Sequence, residues 1–121
     1  MSIPLSTIDL DQGTQVIGDP DGARKTLDLF VEKLPEYHRN ILSAYQNHDW
    51  EKLSELMHAL KGATCYSSTP ALHQQFCTIN DIFSQLKSEQ PGAEVQSAIQ
   101  KNLNALNDNI QTLYDTYKTL A

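Results

Sequence analysis

From Val95 to Leu120, apolar residues recur at Val95, Ile99, Leu103, Leu106, Ile110, Leu113, Tyr117 and Leu120, always three or four positions apart. That spacing sets one side chain per turn on a single face of a helix, whereas the faces of a strand alternate every two residues. A helix this long with one apolar face has to bury it against other helices. The rest of the chain supplies them. Leu27, Phe30, Leu34, Tyr37, Ile41 and Tyr45 form a second stripe, and Leu72, Phe76, Ile79, Phe83 and Leu86 a third. Pro35 interrupts the former, yet the apolar phase is the same on both sides of it, so the spacing predicts one kinked helix over about 20–47.

Punctuation falls between these stripes. In Gly18-Asp19-Pro20-Asp21, Asp19 is placed to cap a helix and Pro20 to occupy its first turn. Asn47-His48-Asp49 reads as a turn with Asp49 capping the next helix, and Thr69-Pro70 as a capping hydroxyl followed by a first-turn proline. The helix that follows is predicted to run to about Ser88, before Gln90-Pro91-Gly92 breaks the chain. Near the start, Ser6 or Thr7 is a candidate cap for a short helix from Ile8 to about Ile17, weakened by Gly13 and expected to lie as a lid over one end. The fold expected is all-α: an antiparallel up-down four-helix bundle with a short N-terminal capping helix, in one domain over 1–121 with its core at about 20–120. Trp50 and Tyr66 are expected to pack at its two ends.

Charge and composition narrow the function. A net charge of −6, with nine basic residues scattered along the chain, argues against nucleic-acid binding. No apolar run approaches the roughly 20 residues of a membrane span, and Met1-Ser2-Ile3-Pro4 lacks the basic start and hydrophobic stretch of a signal peptide. Cys65 and Cys77 make neither a disulfide framework nor a metal site, and they are read as reduced thiols in a cytoplasmic protein. His38, His48 and His73 are read as having no partner at metal-ligand spacing, and no metal is expected.

One stretch stands apart, Leu56 to Leu72. At 100° per residue Leu53, Leu56, Leu60, Ala63 and Ser67 form the buried stripe opposite His58, while Glu51, Ser54, Glu55, Lys61, Gly62 and Cys65 share its polar face. The helix is expected to continue to about Ser67, which makes Gly62 a mid-helix glycine on an exposed face, at a cost of roughly 1 kcal/mol against alanine. A missing side chain beside an exposed imidazole suits the approach of something bulky. A neutral imidazole is a nucleophile towards phosphorus, and Lys61 one turn along offers positive charge to a phosphoryl group held there.

His58-Ala59-Leu60-Lys61-Gly62-Ala63-Thr64 resembles the signature of histidine phosphotransfer (Hpt) domains: His, two residues, Lys-Gly, then two small residues. The continuation Cys65-Tyr66-Ser67-Ser68-Thr69-Pro70 looks most like the carboxy-terminal Hpt domains of tripartite hybrid sensor kinases of the BarA/GacS type, although many members have Gly where this chain has Ser68. The resemblance implies a phosphorelay intermediate of a two-component system. His58 would accept a phosphoryl group from the aspartate of one receiver domain and pass it to the aspartate of another, with Lys61 stabilising it. The chain would be a covalent carrier, not an enzyme on its own, and the receiver would supply Mg²⁺, so no cofactor is expected here. Gly62, Cys65, Ser68 and Glu55 are expected on the exposed docking rim, with part of the preceding helix. Counting from a hinge at about 68–69 brings Asn80 level with His58, as a partner for the imidazole or a phosphoryl oxygen, or else as an ordinary surface amide. A monomer is expected, either free-standing or, as the likeness to hybrid kinases favours, the carboxy-terminal domain of a longer chain. Two rivals are an adaptor that binds receivers without phosphorylation and the dimerisation bundle of a histidine kinase.

Overall fold

A computed structural model of the chain describes residues 5–86 and 90–120. The elements are five helices: α1 (Leu10–Ile17), α2 (Pro20–Gln46), α3 (Trp50–Ala63), α4 (Pro70–Leu86) and α5 (Ala93–Lys118). Three of them begin on an aspartate. Asp9, Asp19 and Asp49 accept from the backbone N–H groups of Gln12, Gly22 and Lys52, satisfying donors that the first turn leaves free. For α1 this corrects the expected cap: it is Asp9, three residues after Ser6, and the helix starts at Leu10. Pro35 lies exposed within an unbroken α2. The expected end of α4 near Ser88 lies outside the described residues.

The stripes read from the sequence are the core. Leu27, Phe30, Leu34 and Ile41 of α2, Leu72, Phe76, Ile79 and Phe83 of α4, and Ile99, Leu103, Leu106, Ile110 and Leu113 of α5 are buried. Each such side chain contributes about 1.5–3 kcal/mol on leaving water. Consecutive helices pack on one another, α1 on α2, α2 on α3, α3 on α4 and α4 on α5. Polar bonds tie α5 to α2: Tyr117 Oη donates to Asp28 Oδ1 (2.5 Å), and His38 Nε2 to Asn107 Oδ1 (2.6 Å). Gln75 of α4 joins both Asn102 and Asn109 of α5, at 3.2 and 3.0 Å.

The N-terminal segment closes over the α3–α4 connection. The Asp9 N–H donates to the Ser68 carbonyl at 2.8 Å and the Ala71 N–H to the Ser6 carbonyl at 3.1 Å, while Ile8 packs on the core. Gly13 belongs to this contact. A Cβ there would lie 1.8 Å from Ser68 Oγ, so the glycine that weakens α1 as an isolated helix is what lets it dock.

The end of α3 also departs from expectation. The helix stops at Ala63, not Ser67. Beyond Thr64 the backbone tightens, with Cys65 and Tyr66 donating to the carbonyls of Gly62 and Ala63, and Ser68 turns the chain with a φ of 62°. Ala63, placed in the buried stripe by helical projection, is exposed. Tyr66 is 56% exposed and does not pack at a bundle end; Trp50 does, set edge-on to Tyr45 and stacked on His48 with ring centroids 5.2 Å apart.

Candidate functional site

Leu53, Leu56, Met57 and Leu60 are buried and fix the orientation of α3. The opposite face then carries Glu51, Glu55, His58, Ala59 and Gly62 in solvent. Neither ring nitrogen of His58 bonds to another described residue, so both are free to meet a partner. Lys61, half-buried one turn along, takes part in no ion pair: among the described residues the ion pair present is Arg24–Asp28. One turn away on either side stand Met57, His58, Thr64 and Cys65, none of them an acid, and the ammonium is unpaired. At Gly62 a Cβ would meet nothing within 4 Å. Packing inside the chain does not ask for glycine there, and the clearance faces outward. Gly62 is the penultimate residue of α3, not a mid-helix residue as its sequence context suggests. Cys65 is exposed beyond it, its thiol donating to the Lys61 carbonyl at 3.5 Å.

Two residues expected at this face are elsewhere. Ser68 is 2% exposed, sealed beneath α1, and cannot line a docking rim. The reason is tertiary: without the lid it would stand at the tip of a turn. Asn80 is neither a surface amide nor bonded to the imidazole. It is 8% exposed among Phe76, Ile79 and Phe83 of α4. Glu55 remains on the face of His58, one turn before it.

The sequence matches the family model of the Hpt domain over residues 25–113. The chain belongs to the Hpt-domain family. Comparison with curated proteins and with solved structures gives no significant match. Hpt domains are phosphohistidine carriers that act with the receiver domains of response regulators in two-component signalling, and that is the role membership gives this chain. Among the described residues no helix is long and apolar enough to cross a membrane, and no three His, Cys, Asp or Glu side chains gather as a metal ion requires.

Beside α3, this Hpt domain carries an open groove of about 180 Å³ lined by Thr26, Leu29, Phe30, Lys33 and Tyr37 of α2 with Ala63 and Ser67. Leu29 is 57% exposed on it. The preceding helix thus brings apolar surface and a cation to the end of the helix that bears His58. The sequence missed His73. Its Nδ1 lies 2.8 Å from Thr64 Oγ1 and its Nε2 3.5 Å from Cys77 Sγ. Cys77 follows His73 by four positions, one helical turn, so that pairing was legible, and the reading that His73 has no partner at such spacing is corrected. The Thr64 contact joins two helices and had no local signal.

Proposed function

We propose that His58 is the phosphoacceptor of this Hpt domain, taking a phosphoryl group from the phospho-aspartate of one receiver and passing it to the aspartate of another. The observation that carries this reading is the combination on one exposed face: an imidazole with both nitrogens unbonded, an unpaired Lys61 one turn on, and open space over Gly62. In the forward step a neutral imidazole nitrogen attacks phosphorus, the N–P bond forms as the bond to the aspartyl oxygen breaks, and the carboxylate leaves. Lys61 offsets the phosphoryl charge. Mg²⁺ would be held by the receiver's acidic residues, and this chain supplies the nucleophile, one cation and the clearance.

The docking surface extends from Glu55, His58, Lys61, Gly62 and Cys65 onto Leu29 and Lys33 of α2. A small, transient contact suits a carrier that exchanges partners. The four long helices are taken as an antiparallel up-down bundle. Support comes from the two α2–α5 bonds, in which residue numbers fall along α5 as they rise along α2. The segment Cys65 to Pro70 favours a place at the cytoplasmic end of a hybrid kinase, as a monomeric module; solution scattering that gives a dimer would favour the kinase dimerisation bundle instead.

The test is incubation with a phosphorylated receiver and Mg²⁺, scoring acid-labile phosphate on the chain beside a His58→Gln variant. Label on the wild type that vanishes in the variant is the expected result. Binding of receivers without any label would replace the carrier by the adaptor.

A further inference from the structure

Away from His58, three side chains form a chain of hydrogen bonds whose direction can be worked out. Thr64, buried at the end of α3, has one hydroxyl hydrogen. Its Oγ1 lies 2.7 Å from the Leu60 carbonyl and 2.8 Å from Nδ1 of His73. A carbonyl only accepts, so the hydroxyl donates to Leu60, and the alternative would face two oxygens lone pair to lone pair. Towards His73 the hydroxyl can then only accept, which places the ring hydrogen on Nδ1. The neutral imidazole turns the lone pair of Nε2 to Cys77 Sγ, 3.5 Å away, and the thiol is the donor. A thiol facing a base, with the base held in one tautomer by a third group, is the arrangement that activates a weak nucleophile. Cys65 lacks it: its thiol faces the Lys61 carbonyl, which cannot take a proton.

We propose that Cys77 is a peroxide-reactive thiol, with His73 as its proton acceptor and Thr64 as the positioning residue that fixes the imidazole. The Cys77 proton passes to His73 Nε2 and the sulfur attacks one oxygen of hydrogen peroxide. The S–O bond forms as the O–O bond breaks, and the departing oxygen takes the proton from His73 and leaves as water. Cys77 is oxidised by two electrons to the sulfenic acid while the peroxide is reduced. Cys77 is half-buried, open to an oxidant of this size. Among the described residues no side-chain hydrogen bond joins the cluster to His58, so this chemistry stands apart from the phosphoryl carrier.

The chain holds two free cysteines, and one serves as reference for the other. The full chain is treated with hydrogen peroxide in the presence of dimedone, and adduct formation at each cysteine is followed by peptide mass spectrometry. Cys77 is expected to label faster than the more exposed Cys65. His73→Gln should slow Cys77 by about a hundredfold, the low side of what a positioned base provides, and leave Cys65 unchanged. Thr64→Val should slow Cys77 several-fold and Thr64→Ser, which keeps the hydroxyl, should restore it. Faster labelling of Cys65 than of Cys77 in the wild type overturns the proposal. So does a Cys77 rate in His73→Gln equal to that of the wild type. Should His73→Gln fail to fold, the wild-type comparison and the Val/Ser pair at Thr64 decide.

Discussion

Replacing Ser68 by glycine should stabilise this protein, and should reverse the sign of a second substitution in α1. Ser68 holds a φ of 62°, and its hydroxyl is buried with no hydrogen-bond partner among the described residues. A left-handed backbone costs an L residue about 1–2 kcal/mol, and an unsatisfied buried hydroxyl about 1–3 kcal/mol. Glycine relieves both, against about 0.4–1 kcal/mol for the freer unfolded chain. The net gain expected is about 1–4 kcal/mol, each kcal/mol raising Tm by roughly 4 °C in a domain of this size. The same geometry makes Gly13→Ala a sensitive partner. Its new Cβ would lie 1.8 Å from Ser68 Oγ and 3.0 Å from Ser68 Cβ, so rotating the hydroxyl away does not clear the contact. In the wild type the substitution should cost about 1–3 kcal/mol. In the Ser68→Gly background the remaining neighbour is Ala23 Cβ at 3.5 Å, an ordinary contact, and the helical preference for alanine, up to about 1 kcal/mol, should win. Urea denaturation of the four proteins, followed by helical circular dichroism, completes the cycle. Equal destabilisation by Gly13→Ala in both backgrounds, or a lower Tm for Ser68→Gly, would refute the lid contact as described.

Other expectations follow from the His58 face and from the α2–α5 clasp. Gly62→Gln should leave the melting curve unchanged or raise it by up to about 1 kcal/mol, because nothing lies within 4 Å of the new Cβ; phosphotransfer from a receiver should nevertheless be blocked, and normal rates would remove the clearance argument. Lys61→Ala should slow transfer while His58 remains modifiable, and equal rates with and without Lys61 would take it out of the site. Hydrogen bonds from Tyr117 and then Arg24 hold the Asp28 carboxyl below the usual carboxylate range, and the bond to Asp28 raises Tyr117 above the usual phenol value. A lowered acid stabilises above its unfolded pKa of about 3.9 and loses that contribution as pH falls, whereas a raised phenol stabilises below about 10 and loses it as pH rises further. The stability gap between wild type and Tyr117→Phe should thus be level from about pH 5 to 9 and shrink on both sides; since both groups are partly exposed to water it should be small, and a gap that widens in acid would contradict the clasp.

The parts of the site that could be read in advance are those that depend on neighbours within one helical turn. His58, Lys61 and Gly62 are spaced so that any helix carrying Leu53, Leu56 and Leu60 inward must turn them outward. Ser68 was misplaced because its burial comes from α1, more than fifty residues away in the chain. Asn80 was misplaced by levelling α3 with α4 through residue counts, which fix height along a helix and not the rotation about its axis. The start of α1 shifted because Ser6, Thr7 and Asp9 can all cap, and the docking of this segment on Ser68 chooses among them.

The amino-acid sequence by itself determined the helices, their order and the exposed histidine face, because periodicity and capping act over three to four residues and every residue of a stripe repeats the same instruction. Tertiary structure decided what lies under the lid, where α3 stops, and what Gly13 meets. Those outcomes depend on single contacts between segments distant in the chain, each made by one side chain and repeated by none.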